Sequence, residues 1–231
     1  MHRLTRREAL TVIGVSGAVM LSGRASAQGA TPACVVRPQQ TEGPYFVDEK
    51  LTRSDIRSDP ASGAMKPGAP LQLTFNVSRM GAGCTPLTGA IVDLWHCDAL
   101  GAYSDVKDPG GSTVGQKFLR GSQVTDARGA AHFTTIYPGW YQGRAVHVHF
   151  KIRTPPSSGP GHEFTSQLYF DDALTDRVHA LAPYAKRGRR TVRNDGDGIF
   201  RDGGRQLVLA VSENGPGYAG TFDLGLQITG A

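Results

Sequence analysis

The sequence predicts an all-β protein, an antiparallel β-sandwich with long loops, an N-terminal coil and at most one short helix. Short apolar–polar alternations recur along the 231 residues, 30 glycines and 14 prolines punctuate them, and only one segment carries a helical period. Many short strands separated by turn residues are the pattern of a sandwich whose loops gather at its ends. Residues 28–70 are rich in turn formers without sustained periodicity and are expected to wrap the domain as ordered coil. Residues 71–77 alternate as a strand, 81–89 read as a loop and 90–95 as a second strand. Further strands are expected at 118–125, 130–136, 145–152, 165–170, 207–212 and 221–228, with a tight hairpin turn at Asp126-Ala127-Arg128-Gly129. The one helix falls at 174–181. Asn194-Asp195-Gly196-Asp197-Gly198 has the outline of a calcium loop but lacks the closing glutamate, so it reads as a turn.

A hydrophobic fraction of 39% in a chain of this length supports one core. The expected division is an export segment, 1–27, followed by a single domain, 28–231. Arg6 and Arg7 precede an apolar run that ends in Ala25-Ser26-Ala27, the pattern of a twin-arginine signal peptide with its cleavage site. That route carries folded proteins, so a metal could be loaded before export to the periplasm or beyond. The apolar run is short for a membrane span, and no stable insertion is expected. Removing 1–27 deletes four arginines and one glutamate and lowers the formal charge from +5 to +2. Such a balance does not indicate nucleic acid. Lys186-Arg187-Gly188-Arg189-Arg190 reads as a solvated loop. In an oxidising compartment the three cysteines suggest one disulfide and one thiol. Spacing leaves the pairing open; Cys34 with Cys84 is the guess, and Cys97 sits in a strand-like apolar run as a buried small residue.

The segment richest in chemistry is Arg144-Ala145-Val146-His147-Val148-His149-Phe150. In a strand alternate side chains share a face, so both imidazoles point one way while Val146, Val148 and Phe150 point into a core. Such a pair suits a metal, although His-x-His alone also suits hydrogen-bonded core histidines. Tyr141 and Tyr103 add phenols, whose protons, with a pKa near ~10, yield readily only to a strongly charged cation. That favours a ferric ion over zinc, which recruits Cys, Asp or Glu more often. An unbroken strand would put Arg144 on the face opposite the histidines, so an Arg144 that works beside them must lie, with Gly143, in a loop or bulge.

Tyr137-Pro138-Gly139-Trp140-Tyr141-Gln142-Gly143-Arg144, leading into His147-Val148-His149-Phe150, resembles the non-haem ferric intradiol dioxygenases, the family of catechol and protocatechuate dioxygenases. Thr41-Glu42-Gly43-Pro44-Tyr45-Phe46 resembles the family's N-terminal motif. Asp93-Leu94-Trp95-His96-Cys97-Asp98-Ala99-Leu100-Gly101-Ala102-Tyr103-Ser104 resembles its first tyrosine segment. Phe118-Leu119-Arg120-Gly121 with Gln123-Val124-Thr125-Asp126 matches the hairpin that follows, and Gln167-Leu168-Tyr169-Phe170 fits as well. The resemblance runs from Thr41 to the C-terminus, and its ordered spacing is more specific than any one motif.

This resemblance implies Fe(III) with Tyr103 and His147 as equatorial ligands and Tyr141 and His149 as axial ones, hydroxide completing the shell. It implies Arg144 beside the substrate, stabilising developing negative charge, and Gln167 behind the ligands. Tyr45 and Phe46 are expected to line the pocket. The implied reaction opens a catechol-type ring between its two hydroxylated carbons with O2 and yields a muconate-type diacid. A monomer or small homo-oligomer is expected. Only Gln142 and Gly143 separate Tyr141 from Arg144, Gly143 stands where a tryptophan is expected, and no N-terminal dimerisation helix is evident. The chain thus resembles the small exported members, with a reduced lid and a pocket open to environmental catechols. Two rivals stand beside this reading. One is a non-enzymatic β-sandwich binding protein with the same shell. The other is an extradiol enzyme whose ferrous ion would use two histidines with Asp93 or Asp98.

Overall fold

Leu71, Leu73, Phe75 and Val77 alternate along β1 (Pro70–Met80) and are all buried, so one face of this strand is a wall of the core. The computed structural model describes residues 34–81, 83–108, 111–154 and 161–228, and the export segment expected at 1–27 lies outside them. β1 is the spine of the first sheet. On one side it pairs with β11 (Gly217–Leu226); on the other it pairs with β7 (Ala130–Ile136) and then with the short β2 (Cys84–Pro86). β10 (Val211–Asn214) flanks β11. The second sheet runs β6 (Arg120–Val124), β3 (Ile91–Trp95), β8 (His147–Arg153) and β9 (Glu163–Tyr169). A small ribbon, β4 (Lys107–Asp108) with β5 (Gly111–Ser112), completes the strands.

The all-β sandwich expected from the sequence is what the chain forms. Its strand pairs are antiparallel except β1 with β11, whose parallel register runs from Leu71 opposite Tyr218 to Arg79 opposite Leu226. Between the sheets, Phe75 from the first meets Phe150 from the second at 5.2 Å between ring centroids, and Phe222 closes the group at 6.0 and 5.5 Å from them. Burying each such ring stabilises the fold by roughly 1.5–3 kcal/mol.

Residues 34–69 are coil with isolated bridges, as expected, and they cover both edges of the second sheet. Along β6, the Arg53 N–H donates to the Ser122 carbonyl and the Ser122 N–H to that of Leu51; along β9, the Gln40 N–H donates to Thr165. Such cover blunts the exposed edges as templates for pairing with another chain. Cys34 and Cys84 form a disulfide that ties the start of the coil to β2, and Cys97 is free and buried.

Several boundaries differ from expectation for local reasons. The strand expected at 118–125 begins only at Arg120, because Leu119 has a positive φ of 53°. The 207–212 segment is split. Leu207 ends a 3-10 turn, Leu209 donates its N–H to the Tyr169 carbonyl on β9, and pairing with β11 starts at Val211. The helix expected at 174–181 is α1 (Asp172–His179), set by Asp171, whose Oδ1 caps it by accepting from the Leu174 N–H at 2.8 Å. The turn expected at 194–198 is a 3-10 turn, Asn194–Gly196, running into a single-turn helix, α2 (Gly198–Arg201). The basic cluster needs a correction too: the Arg190 guanidinium is buried against Asp172 and Asp176 rather than solvated.

Candidate metal centre

β8 is central in its sheet, with His147 opposite Tyr169 and His149 opposite both Gln167 and Trp95. The pleat brings the two imidazoles together with Nε2 atoms 3.0 Å apart, while Val148, Phe150 and Ile152 fill the core on the other face. His147 Nδ1 lies 2.7 Å from the Ala145 carbonyl, which can only accept, so Nδ1 carries the hydrogen and Nε2 keeps its lone pair. Burial, then the charge of Arg144, pushes the His147 pKa down to about 3. His149 is held well below the usual range by burial and then by His147. Both rings are therefore neutral at ordinary pH, the form in which imidazole binds metals. The His149 ring stacks on Trp95 at 5.1 Å, and Gly43 packs on its edge, where a Cβ would stand 3.3 Å from Cε1.

The phenols come from two loops that lie against one another. Tyr103 follows a turn built by Asp98, whose Oδ1 accepts from the backbone N–H groups of Leu100 and Ala102, both at 3.0 Å. Tyr141 follows Pro138-Gly139-Trp140. A Cβ on Gly101 would be 2.2 Å from the Trp140 carbonyl oxygen, and one on Gly139 would be 2.4 Å from that of Asp98. Only glycine permits such an approach. The Tyr103 and Tyr141 rings lie 5.6 Å apart, the Tyr141 hydroxyl is 3.2 Å from His147 Nε2, and the Tyr103 ring is 6.3 Å from that of His149. Burial raises both phenol pKa values far above the ordinary one.

This cluster fits a hard, highly charged cation. The Tyr103 hydroxyl is buried with no hydrogen-bond partner of ordinary geometry, and two neutral imidazole Nε2 atoms face each other. Two lone pairs at 3.0 Å repel unless one nitrogen is protonated or a cation lies between them. No three His, Cys, Asp or Glu side chains gather into a metal group among the described residues, so a site here needs its tyrosines. Asp93 and Asp98 do not supply the carboxylate of the extradiol rival: Asp93 is paired with Arg153 at 2.8 Å and Asp98 with Lys66 at 2.8 Å.

Gly143 has a φ of +85° within the turn before β8, and Arg144 lies outside the strand, as the parity argument required. The Arg144 Nε donates to Asp197 Oδ2 at 2.9 Å and Nη2 to Gln167 Oε1 at 2.6 Å, while Nη1 stands 3.5 Å from His147 Nε2. Gln167 is fully buried, and its Nε2 donates to the Thr41 carbonyl at 2.9 Å. Tyr45 stacks on Tyr103 at 4.3 Å and meets Tyr141 edge-on at 5.9 Å. Phe46 packs on Trp95 at 4.9 Å, beneath the Lys151 ammonium, and so sits against the support of His149. The sequence reading missed Asp197, the Trp95 stack and the role of Gly43. Asp197 was read only as part of a turn, and nothing in the sequence named its partner.

The dioxygenase family model matches residues 41–186, a span that contains Tyr103, Tyr141, His147, His149, Arg144 and Gln167. The chain belongs to the intradiol ring-cleavage dioxygenase family. It is 28% identical over 186 residues to catechol 1,2-dioxygenase 1 of Acinetobacter lwoffii, covering 69% of this chain and 55% of that protein. It is 29% identical over 144 residues to the protocatechuate 3,4-dioxygenase beta chain of Burkholderia cepacia, covering 57% and 60%. The chain thus spans about half the length of the curated relatives it matches. Among solved structures, an intradiol ring-cleavage dioxygenase from Tetranychus urticae superposes with a TM-score of 0.72 at 29% identity, over 84% of this chain and 95% of that one. The dioxygenase domain of a carbohydrate-binding fusion from Streptomyces sp. SirexAA-E gives 0.58 at 30% identity, over 84% and 100%.

Proposed function

We propose that this family member is a ferric-iron-dependent intradiol dioxygenase that opens catechol-type rings between the two hydroxylated carbons with O2, giving muconate-type diacids. The convergence of Tyr103, Tyr141, His147 and His149 carries the proposal, because two phenols and two neutral imidazoles form a donor set suited to Fe(III). When bound, the ion supplies a Lewis acid strong enough to ionise the phenols and a chelated diol.

The chain's own residues supply the remainder. Tyr141, on a loop and hydrogen-bonded to His147 Nε2, is the phenol placed to take up a diol proton at its oxygen. Arg144 keeps its charge beside buried Asp197 and offers Nη1 to negative charge developing on the ring. Tyr45, stacked on Tyr103, provides an aromatic wall. The relatives' names support catechol-type substrates; catechol, hydroxyquinol, protocatechuate and larger plant-derived catechols form the panel to assay.

Export through the twin-arginine segment belongs to the same reading, and cell fractionation with and without Arg6 and Arg7 tests it. Among the described residues no helix is long and apolar enough to cross a membrane. The activity is tested by assaying iron in the purified protein and following ring-opened product across the panel. An iron-free protein that leaves every catechol intact would restore the non-enzymatic sandwich reading.

A further inference from the structure

We infer that Asp197 is the positioning residue for Arg144, fixing which edge of the guanidinium faces the donor cluster and leaving Nη1 as its working nitrogen. The inference rests on Arg144 acting on bound substrate as proposed above. Asp197 lies beyond residues 41–186 matched by the family model, and its side chain is 1% exposed. Oδ2 accepts from Arg144 Nε at 2.9 Å and from the Ala145 N–H at 2.7 Å. Oδ1 accepts from the N–H groups of Ile199 at 2.7 Å and Phe200 at 3.2 Å, capping α2. A carboxylate holding four donors cannot rotate without losing several of them.

Gln167 Oε1 grips Nη2 from the other side, and Gln167 is itself tied to Thr41. With Nε and Nη2 committed, Nη1 remains, 3.5 Å from His147 Nε2. An arginine in the turn before a strand would otherwise sample many rotamers, and a lysine could not reproduce this fork. The same carboxylate oxygen also fixes Ala145, whose carbonyl sets the tautomer of His147. One oxygen thus holds both Arg144 and the residue that orients the first imidazole.

The test compares wild type with Asp197→Asn and Asp197→Ser; serine keeps a helix cap for Ile199 and Phe200 but withdraws the oxygen that meets Arg144. In the metal-free proteins, nitrogen NMR reads the exchange protection of the Arg144 Nε–H, and in the iron-loaded proteins turnover is split into kcat and KM. The expected result is protection lost in both variants and kcat lowered about 10- to 100-fold at nearly constant KM, with visible colour retained. Adding Asp197→Ser to Arg144→Gln should then cost little more than Arg144→Gln alone. Undiminished protection and kcat in Asp197→Ser would overturn the inference, as would an equal loss of kcat in the Arg144→Gln background. If iron-loaded wild type shows no turnover, the proposed activity fails, while the metal-free NMR comparison still decides whether Asp197 holds Arg144.

Discussion

The two halves of the donor cluster are built differently. His147 and His149 stand on a strand paired on both sides, so the ladders with β3 and β9 fix their register. Tyr103 and Tyr141 stand on loops held together by the Asp98 turn and by glycine backbones in direct contact. The imidazole half is set by sheet register and the phenol half by two close backbone approaches. The phenol half should therefore be the easier to displace, which would suit the proton uptake proposed for Tyr141.

The largest expected effect lies in the rigid half. His149→Ala should leave the strand in place but lower ferric affinity by at least ~1,000-fold, about 4 kcal/mol, as measured by competition with a chelator. Gly101→Ala attacks the other half: its Cβ would collide with the Trp140 carbonyl at 2.2 Å, in a backbone with a φ of +85°. Denaturant unfolding should show about 3 kcal/mol lost, and the colour of the iron-loaded protein should weaken while histidine ligation persists.

Acid should also reach the phenol half, through His96 at the root of the Tyr103 loop. His96 is wholly buried between Thr135 and the Cys97 carbonyl, and burial lowers its pKa to about 4 from 6.5. Between those two values the unfolded chain binds the proton and the folded one does not. The His96 contribution should thus be full above about pH 6.5, fall as pH drops and be gone by about pH 4, roughly 3 kcal/mol, beside the losses at His147 and His149, whose pKa values are lowered further. His96→Gln should make this slope shallower in thermal melts of metal-free protein, leaving the part that His147 and His149 contribute. The smallest effect is expected at Gly43, whose added methyl would stand 3.3 Å from His149 Cε1 at a φ of +72°. Gly43→Ala should cost about 1 kcal/mol of ferric affinity in the same competition titration and leave the Tyr103 and Tyr141 loops undisturbed.

These same halves differ in how far the sequence discloses them. Strand parity places His147 and His149 on one face, because a period of two is a local property, and it sends Arg144 into a loop only once the family resemblance asks Arg144 to work beside them. The phenols are different. Nothing local joins Tyr103 to Tyr141; their chemistry offered them as phenols for one cation, and the family resemblance assigned them as its ligands before the fold brought them together. Asp197 was readable as a turn residue but not as the partner of Arg144, which lies 53 positions away in the chain. Helix α2 was missed because a single turn has too few residues to show a period, and Arg190 was misread because its partners Asp172 and Asp176 sit on α1.

The central claim is that two phenols and two imidazoles close on one ferric ion. Titrating metal-free protein with Fe(III) while recording the visible spectrum, for wild type, Tyr103→Phe and Tyr141→Phe, tests it most directly. The account predicts equimolar uptake with a visible phenolate-to-iron band that each substitution weakens. Uptake without visible colour in the wild type, or undiminished iron, colour and turnover in both variants, would contradict it.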